Sequence, residues 1–102
     1  MLIELWGCDF WVVYSGHAIR RIKQRNIVKE LIPEDIKSAE EELGGIEGEQ
    51  EFVIIDTFAN ITIVGFFEYV NKKPTNRIII ETIVDKGDNF IPKDTDIVIK
   101  IN

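Results

Sequence analysis

The chain has 102 residues, 45% of them hydrophobic, a length that suits one hydrophobic core rather than two ordinary domains. A membrane-spanning helix needs about 20 apolar residues, and every apolar run in this sequence is much shorter. Residues 1–6 lack the basic leader of a secretory signal. Cys8 is the only cysteine and His17 the only histidine, which excludes an internal disulfide and argues against a zinc site. We therefore expect a single cytoplasmic domain over residues 1–102, without membrane contact, metal or cofactor.

The net charge of −6 is distributed unevenly along the chain. Residues 1–9 carry −2, residues 10–29 carry +5 with no acidic residue, and residues 30–102 carry −9. The basic side chains of the middle segment are Arg20, Arg21, Lys23, Arg25 and Lys29. The overall acidity argues against nonspecific coating of nucleic acid, but a local anion site remains open because nearby charges dominate the field.

Two short strands are predicted at the N-terminus, over residues 2–6 and 10–15, with Gly7-Cys8-Asp9 as the turn between them. The second strand is rich in aromatic and β-branched side chains, which favour strands. We expect the aromatic residues around this turn to pack in the core rather than form an exposed patch. They are Trp6, Phe10 and Trp11.

A first helix is predicted over residues 16–25, with Ser15 as its N-cap and Asn26 as a left-handed stop. At 100° per residue, one apolar stripe faces the core and one polar face lies apart from it. The stripe contains Ala18, Ile19 and Ile22, and the polar face contains His17, Arg21, Gln24 and Arg25.

A second helix is predicted from Pro33, which suits the first helical position, to the pair Gly44-Gly45. Glu34 and Asp35 in its first turn complement the helix dipole. The run Glu40–Glu42 forms its solvated face.

The remainder of the chain is typical of strands separated by short breaks. The predicted strands cover residues 51–55, 61–70, 77–84 and 96–101, with a longer loop over 85–94. Short connections favour an antiparallel meander. The predicted fold class is α+β: two helices packed on a mostly antiparallel sheet of four to five strands.

The helix that carries His17, Arg21 and Arg25 is the most suggestive feature for chemistry. A neutral imidazole can accept a proton, and arginine donates two parallel hydrogen bonds to phosphate. The competing interpretation is structural: the histidine caps or packs, and the arginines are solvated or pair with acids such as Glu40–Glu42. Spacing alone does not decide between the two.

Residues 14–27, with the sequence YSGHAIRRIKQRNI, resemble the opening of an uncharacterised bacterial family. That family begins with a strand and then His-Ala-x-x-Arg-x-x-x-Arg-(Gly/Asn)-Ile, and is associated with RelE-like and BrnT-like toxins, whose wider fold includes barnase-like nucleases. The matching positions here are His17, Ala18, Arg21, Arg25 and Ile27, with Asn26 where glycine is usual. The acidic start of the second helix is similar to the family's as well.

This resemblance implies a toxin-like endoribonuclease of the RelE/barnase-like fold, acting on RNA through its ribose 2′-hydroxyl, with a cognate antitoxin as partner. His17 would act as base or acid, and Arg21 and Arg25 would stabilise charge at phosphorus. A second proton-transfer group is required, with Glu81 and Thr82 as site candidates and Glu68 and Tyr69 as further ones. Strict alternation makes either Glu81 or Thr82 interrupt an apolar face of its strand.

Two departures from the toxin group keep a second function open. The chain is acidic, and Arg77 is the only basic residue inside its predicted central strands before Lys100. The alternative is a non-catalytic interaction domain, a homodimer among its forms, in which the basic helix is structural and an edge strand or aromatic side chains mediate assembly.

Overall fold

The computed structural model describes residues 1–85 and 97–101. Its strands are β1 (Leu2–Leu5), β2 (Cys8–Tyr14), β3 (Phe52–Asp56), β4 (Ile61–Val70), β5 (Lys73–Val84) and β6 (Ile97–Ile101). Its helices, between β2 and β3, are α1 (Gly16–Gln24), α2 (Leu31–Ser38) and α3 (Glu40–Leu43). The predicted α+β class is confirmed. Among these helices, none has the length and apolarity that crossing a membrane requires.

The described strands form one mixed sheet in the order β1-β2-β5-β4-β3-β6. Strands β3, β4 and β5 are the antiparallel meander that short connections predict. Strand β2, however, joins β5 in parallel, and β6 joins β3 in parallel. The predicted number of four to five strands is therefore too low, and two of the five pairings among the described strands are parallel while three are antiparallel as expected. Parallel pairing is set by long crossovers, and local turn signals do not reveal which edges such crossovers bring together.

The main core lies between the helices and one face of this sheet. Its members include Ile36 and Leu43 from the helices and Phe52, Ile54 and Ile78 from the strands, all at most 1% exposed. A second cluster uses alternate strand residues on the other face, namely Val53, Ile55 and Val64. Strand β3, between β4 and the outer strand β6, is therefore buried on both sides.

A β-bulge interrupts the pairing of β4 with β5. Gly65 pairs with Ile80 and Val64 with Thr82, so Glu81 has no opposite residue on β4. The extra residue lets Ile83 join Ile78 and Ile80 in the main core, although two residues separate it from Ile80. The prediction that side chains alternate strictly between the two faces of this strand is therefore wrong. Neither Glu81 nor Thr82 is buried with the isoleucines.

The boundaries of α1 follow the predicted signals, whereas those of the second helix do not. Asn26 takes the left-handed conformation expected of it, with φ 51°. Helix α2 begins at Leu31, so Pro33 occupies the third helical position rather than the first. Ala39 then separates α2 from α3, because its N–H turns toward several preceding carbonyl groups in a tightened turn. The predicted single helix is thus two.

Two turns are displaced from their predicted positions. The β1–β2 turn is Trp6-Gly7, with φ 54° and 79°, and Cys8 already pairs with Leu5 in the hairpin. The β4–β5 turn is Asn71-Lys72, with φ 52° and 64°, so β5 starts at residue 73 rather than 77. Of the predicted loop over 85–94, everything after Asp85 lies outside the described residues, as does residue 96 of the last predicted strand.

Candidate functional site

The start of α1 is fixed to strand β5 by Ser15, the predicted N-cap. Its Oγ accepts a hydrogen bond from the backbone N–H of Ala18 at 3.0 Å and donates one to the backbone carbonyl of Glu81 at 2.7 Å. The Ser15 N–H also donates to the carbonyl of Ile80 at 3.0 Å, which continues the β2–β5 ladder. His17 therefore follows a rigid junction between helix and sheet.

Helix α1 contacts the core along a narrow line. Ala18 is fully buried and Ile22 partly buried, but Ile19 is 40% exposed, so the predicted apolar stripe is wrong for Ile19. The side chains of His17, Arg20 and Arg21 lie within about 100° of one another around the helix, and we call them the α1 basic face. Within the described part of the chain, no hydrogen bond or ion pair engages these three side chains.

The end of α1 is tied to β5 by an ion pair. Arg25 is the C-cap residue of the helix, and its Nη1 lies 3.4 Å from Oδ2 of Asp85. The helix spans about 15 Å over the ten residues from Ser15 to Arg25. The extended chain spans a similar length, about 13 Å, over the four residues from Glu81 to Asp85. Helix α1 thus runs alongside the end of β5 and is held at both ends. Arg25 has an internal acidic partner, unlike Arg21.

The candidates for the second proton-transfer group are separated by the fold. The main chain of Glu81 meets Ser15 at the start of α1, while Thr82 pairs with Val64 of the second cluster. Tyr69 pairs with Pro74 near the far end of β5, and Glu68 is its neighbour. Glu81 is therefore the candidate that the structure joins to α1.

Tyr14 and Lys29 complete the surroundings of α1. The Tyr14 hydroxyl is buried and has no hydrogen-bond partner in the described chain. Burial raises the pKa of this phenol, and the charge of Glu30 raises it further. The Lys29 ammonium stands 4.9 Å from the centre of the Tyr14 ring, a cation–π contact. Tyr14 therefore stays neutral at physiological pH and cannot serve as the base.

The predicted structural role of Glu40–Glu42, pairing with the arginines of α1, is wrong for the described residues. Glu40 accepts a hydrogen bond from the backbone N–H of Trp6 at 2.6 Å and lies 3.3 Å from Nζ of Lys37. These contacts lower the pKa of Glu40, the Trp6 bond most strongly. Trp6 itself is 46% exposed and Trp11 55%, so the expectation that both pack in the core is also wrong.

A buried pair of carboxyl groups escaped the sequence prediction. Asp35 is 4% exposed and Asp56 2% exposed, and a side-chain hydrogen bond joins them. Burial, this bond and the charges of Asp56 and Glu34 raise the pKa of Asp35 to about 8. The sequence predicts Asp35 as a first-turn acid that complements the helix dipole, and it does not predict the burial of this side chain. Its helical spacing between Ile32 and Ala39 was the signal that could have placed it on the buried face.

Within residues 1–85 and 97–101, no three His, Cys, Asp or Glu side chains are grouped so as to hold a metal ion. Comparisons with protein-family models, curated protein sequences and solved structures found no match to this chain. The residues of α1 and their surroundings are therefore the features from which a function can be inferred.

Proposed function

We propose that this domain is a toxin-like endoribonuclease that binds RNA phosphate on the α1 basic face and uses His17 for proton transfer. One observation carries the proposal: His17 and Arg21 lie on a helix anchored at both ends, yet neither pairs with an acid of the described chain. A helix that is held rigidly but keeps unpaired cations is suited to an external anion. The resemblance of residues 14–27 to the toxin group supports the same function.

The local electrostatics support an anion at the start of α1 despite the net charge of −6. The first turn of the helix contains no acidic residue, and its end carries the Arg25–Asp85 pair. Arg20 and Arg21 directly follow this acid-free first turn, and the helix dipole adds positive potential at the start of the helix. Because screening limits interactions to about 8 Å at physiological salt, acids farther away than this act weakly there, whereas Glu81 adjoins the start of the helix.

In the proposed reaction the His17 imidazole takes the proton of a ribose 2′-hydroxyl, whose oxygen attacks the adjacent phosphorus. Arg21 stabilises the charge that develops on the phosphoryl oxygens. The bond from phosphorus to the 5′-oxygen breaks, which leaves a 2′,3′-cyclic phosphate and a 5′-hydroxyl. The 5′-oxygen takes a proton from a second group, for which Glu81 is the candidate because its peptide adjoins the Ser15 cap. Glu81 donates from its protonated carboxyl form and is left as a carboxylate. Arg25, held by Asp85, positions the helix.

Cleavage of a labelled single-stranded RNA by the purified chain tests this function. We expect His17→Ala to abolish cleavage and Arg21→Ala to reduce it by at least about tenfold. The matched control is Lys23→Ala, which removes one charge from the same helix outside the α1 basic face. A substrate with a 2′-deoxy sugar at the cleaved position should be resistant. Equal cleavage by the wild type and the His17 and Arg21 variants would disprove the proposal.

A specific observation favours a second candidate function, a non-catalytic interaction domain. Large apolar side chains are exposed on the two outer strands and on β2: Leu2 at 47%, Trp11 at 55% and Val98 at 43%. Exposed strand edges with apolar side chains suit pairing with a second copy or with an antitoxin. Light scattering of the wild type and of Trp11→Lys distinguishes the candidates: a dimer that the substitution dissociates, in a chain without ribonuclease activity, supports the second one.

A further inference from the structure

A cavity of about 400 Å³ lies at the opposite end of the sheet from α1. Helix α1 follows the end of β2 and is tied to the end of β5, whereas the cavity is lined from the beginnings of both strands. Its apolar walls are Trp6, Phe10 and Phe67, and its rim carries Glu68, Asn76 and Arg77. A volume in this range is typical of small-molecule sites.

Trp6 occupies a backbone conformation that disfavours it. It is the first residue of a two-residue hairpin turn in which both residues have positive φ, a position that asparagine or glycine normally fills. Its side chain is nevertheless 46% exposed, so core burial does not account for the choice of tryptophan. Strain of this kind is characteristic of functional positions.

The indole of Trp6 is held in one orientation at the cavity mouth. Its Nε1–H donates to the backbone carbonyl of Glu40 at 3.1 Å. Its ring lies 5.9 Å from that of Phe10 and 5.8 Å from that of Phe67, measured between centroids. The Phe10 ring meets the indole at 87° and the Phe67 ring at 39°, so both orient the indole, whose exposed part offers a surface on which a planar group can stack.

The polar rim is built by a second irregularity in the β4–β5 pairing. Phe67 pairs with Ile78 and Tyr69 with Pro74, so Glu68 alone opposes three residues, Thr75, Asn76 and Arg77. Asn76 takes φ 59°, in the left-handed region. Such bulges re-aim side chains, and here they bring an acid, an amide and a guanidinium to one edge of the cavity.

Glu68 and Arg77 form an ordered acceptor–donor pair on that rim. Arg77 Nη1 lies 3.4 Å from Glu68 Oε1, which also accepts a hydrogen bond from the Thr75 hydroxyl at 3.0 Å. The second carboxylate oxygen of Glu68 and the remaining N–H groups of Arg77 have no partner among the described residues. Half of the Arg77 side chain is exposed, so these donors are accessible.

We infer that this cavity binds a planar heteroaromatic ring with a lactam edge, of which a hypoxanthine or guanine mononucleotide is the model. The ring stacks on Trp6, its carbonyl oxygen accepts from Arg77, and its adjacent N–H donates to Glu68. Adenine presents these groups in the reverse order, an amino donor beside an unprotonated ring nitrogen, and matches Glu68 and Arg77 only if the ring turns over and carries its sugar to the other side. The inference does not depend on the function proposed for α1.

Calorimetric titration of the full chain with inosine 5′-monophosphate and adenosine 5′-monophosphate tests the inference, because the two differ only at the lactam edge. We expect saturable binding of the inosine nucleotide and at least about tenfold weaker binding of the adenosine nucleotide. Arg77→Ala and Glu68→Gln should each weaken the first and reduce the discrimination. Lys23→Ala, on α1 but outside the α1 basic face, is the control and should leave binding unchanged.

Trp6→Asn gives a variant whose folding is not in question, because asparagine suits the turn. It should remain folded, since relief of the turn strain offsets the lost indole contacts, and lose binding by about tenfold through the missing stacking surface. Equal binding of the two nucleotides, or no saturable binding of the inosine nucleotide, would overturn the inference. The inference would also be overturned if only a short oligoinosine strand bound, and not the mononucleotide, and if Arg21→Ala abolished that binding. The nucleotide would then lie on α1.

Discussion

Trp6 and Glu40 are joined by two hydrogen bonds that fasten the β1–β2 hairpin to the start of α3. The backbone N–H of Trp6 donates to the Glu40 carboxylate at 2.6 Å, and its indole N–H donates to the Glu40 carbonyl at 3.1 Å. A residue with an unfavourable φ of 54° is thereby held by a partner 34 positions away. The energetic cost of the turn is offset by tertiary contacts.

Removing the Glu40 carboxylate should loosen this connection. We expect Glu40→Ala to lower the melting temperature by a few degrees at neutral pH, because a charge-assisted hydrogen bond is lost. The contact lowers the pKa of Glu40, so its stabilising effect is present above the ordinary carboxyl pKa and is lost as the pH falls through the lowered value. The melting temperatures of the wild type and of Glu40→Ala should therefore converge as the pH is lowered from neutral to acidic. Glu41→Ala, at an exposed neighbour, is the control and should show no effect.

The buried Asp35–Asp56 pair predicts the opposite dependence on pH. The pKa of Asp35 is raised to about 8, so the folded state retains a proton that the unfolded chain releases near pH 4. Stability is greatest below the unfolded pKa and falls as the pH rises toward about 8. Asp35→Asn, which stays neutral and can donate to Asp56, should remove this decline.

Denaturant titrations near pH 5 and near pH 8.5 measure the effect. We expect the variant to gain on the wild type by a few kcal/mol between these two values, at about 1.4 kcal/mol for each unit of pKa difference. Glu42→Gln, at an exposed position of α3, is the control and should leave the pH dependence unchanged. A difference between wild type and Asp35→Asn that did not change with pH would contradict the raised pKa.

Gly65 is required by a close approach in the sheet. A Cβ there would lie 2.5 Å from the Ile79 carbonyl oxygen and 2.9 Å from the Phe52 ring. We expect Gly65→Ala to destabilise the fold by about 1–3 kcal/mol or more, because neither backbone nor a fully buried ring can move aside cheaply. Gly16→Ala meets nothing nearer than an Arg20 nitrogen at 3.8 Å, so it should be neutral or stabilising. Similar unfolding free energies for the two variants would refute this account.

Ser15 links stability to the candidate site. Ser15→Ala removes both the helix cap and the bond to the Glu81 carbonyl, and should cost about 1 kcal/mol of unfolding free energy. If α1 acts as proposed, RNA cleavage should fall further than this loss of folded protein explains, because His17 is displaced. Ser15→Thr retains the hydroxyl and should recover both properties. Full activity in Ser15→Ala would show that the cap does not position His17.

Several elements followed directly from local signals. Ser15 and Asn26 marked the two ends of α1, and the apolar residues from 61 to 70 formed β4 with the predicted bounds. These features depend on near neighbours in the chain: a hydroxyl that reaches an N–H three residues later, or a side chain that tolerates positive φ. The basic character of residues 10–29 is equally a property of the sequence alone.

The sequence by itself therefore determined the α+β class, the helix with its caps and the position of the cationic segment. The tertiary structure alone decided the parallel pairing of β2 with β5, the bulges at Glu81 and Glu68, and the burial of Asp35 against Asp56. It also decided that Asp85 pairs with Arg25 and that Trp6 lies at a cavity mouth. Each of these relations joins residues far apart in the chain, and its energy depends on desolvation and packing that local patterns do not encode.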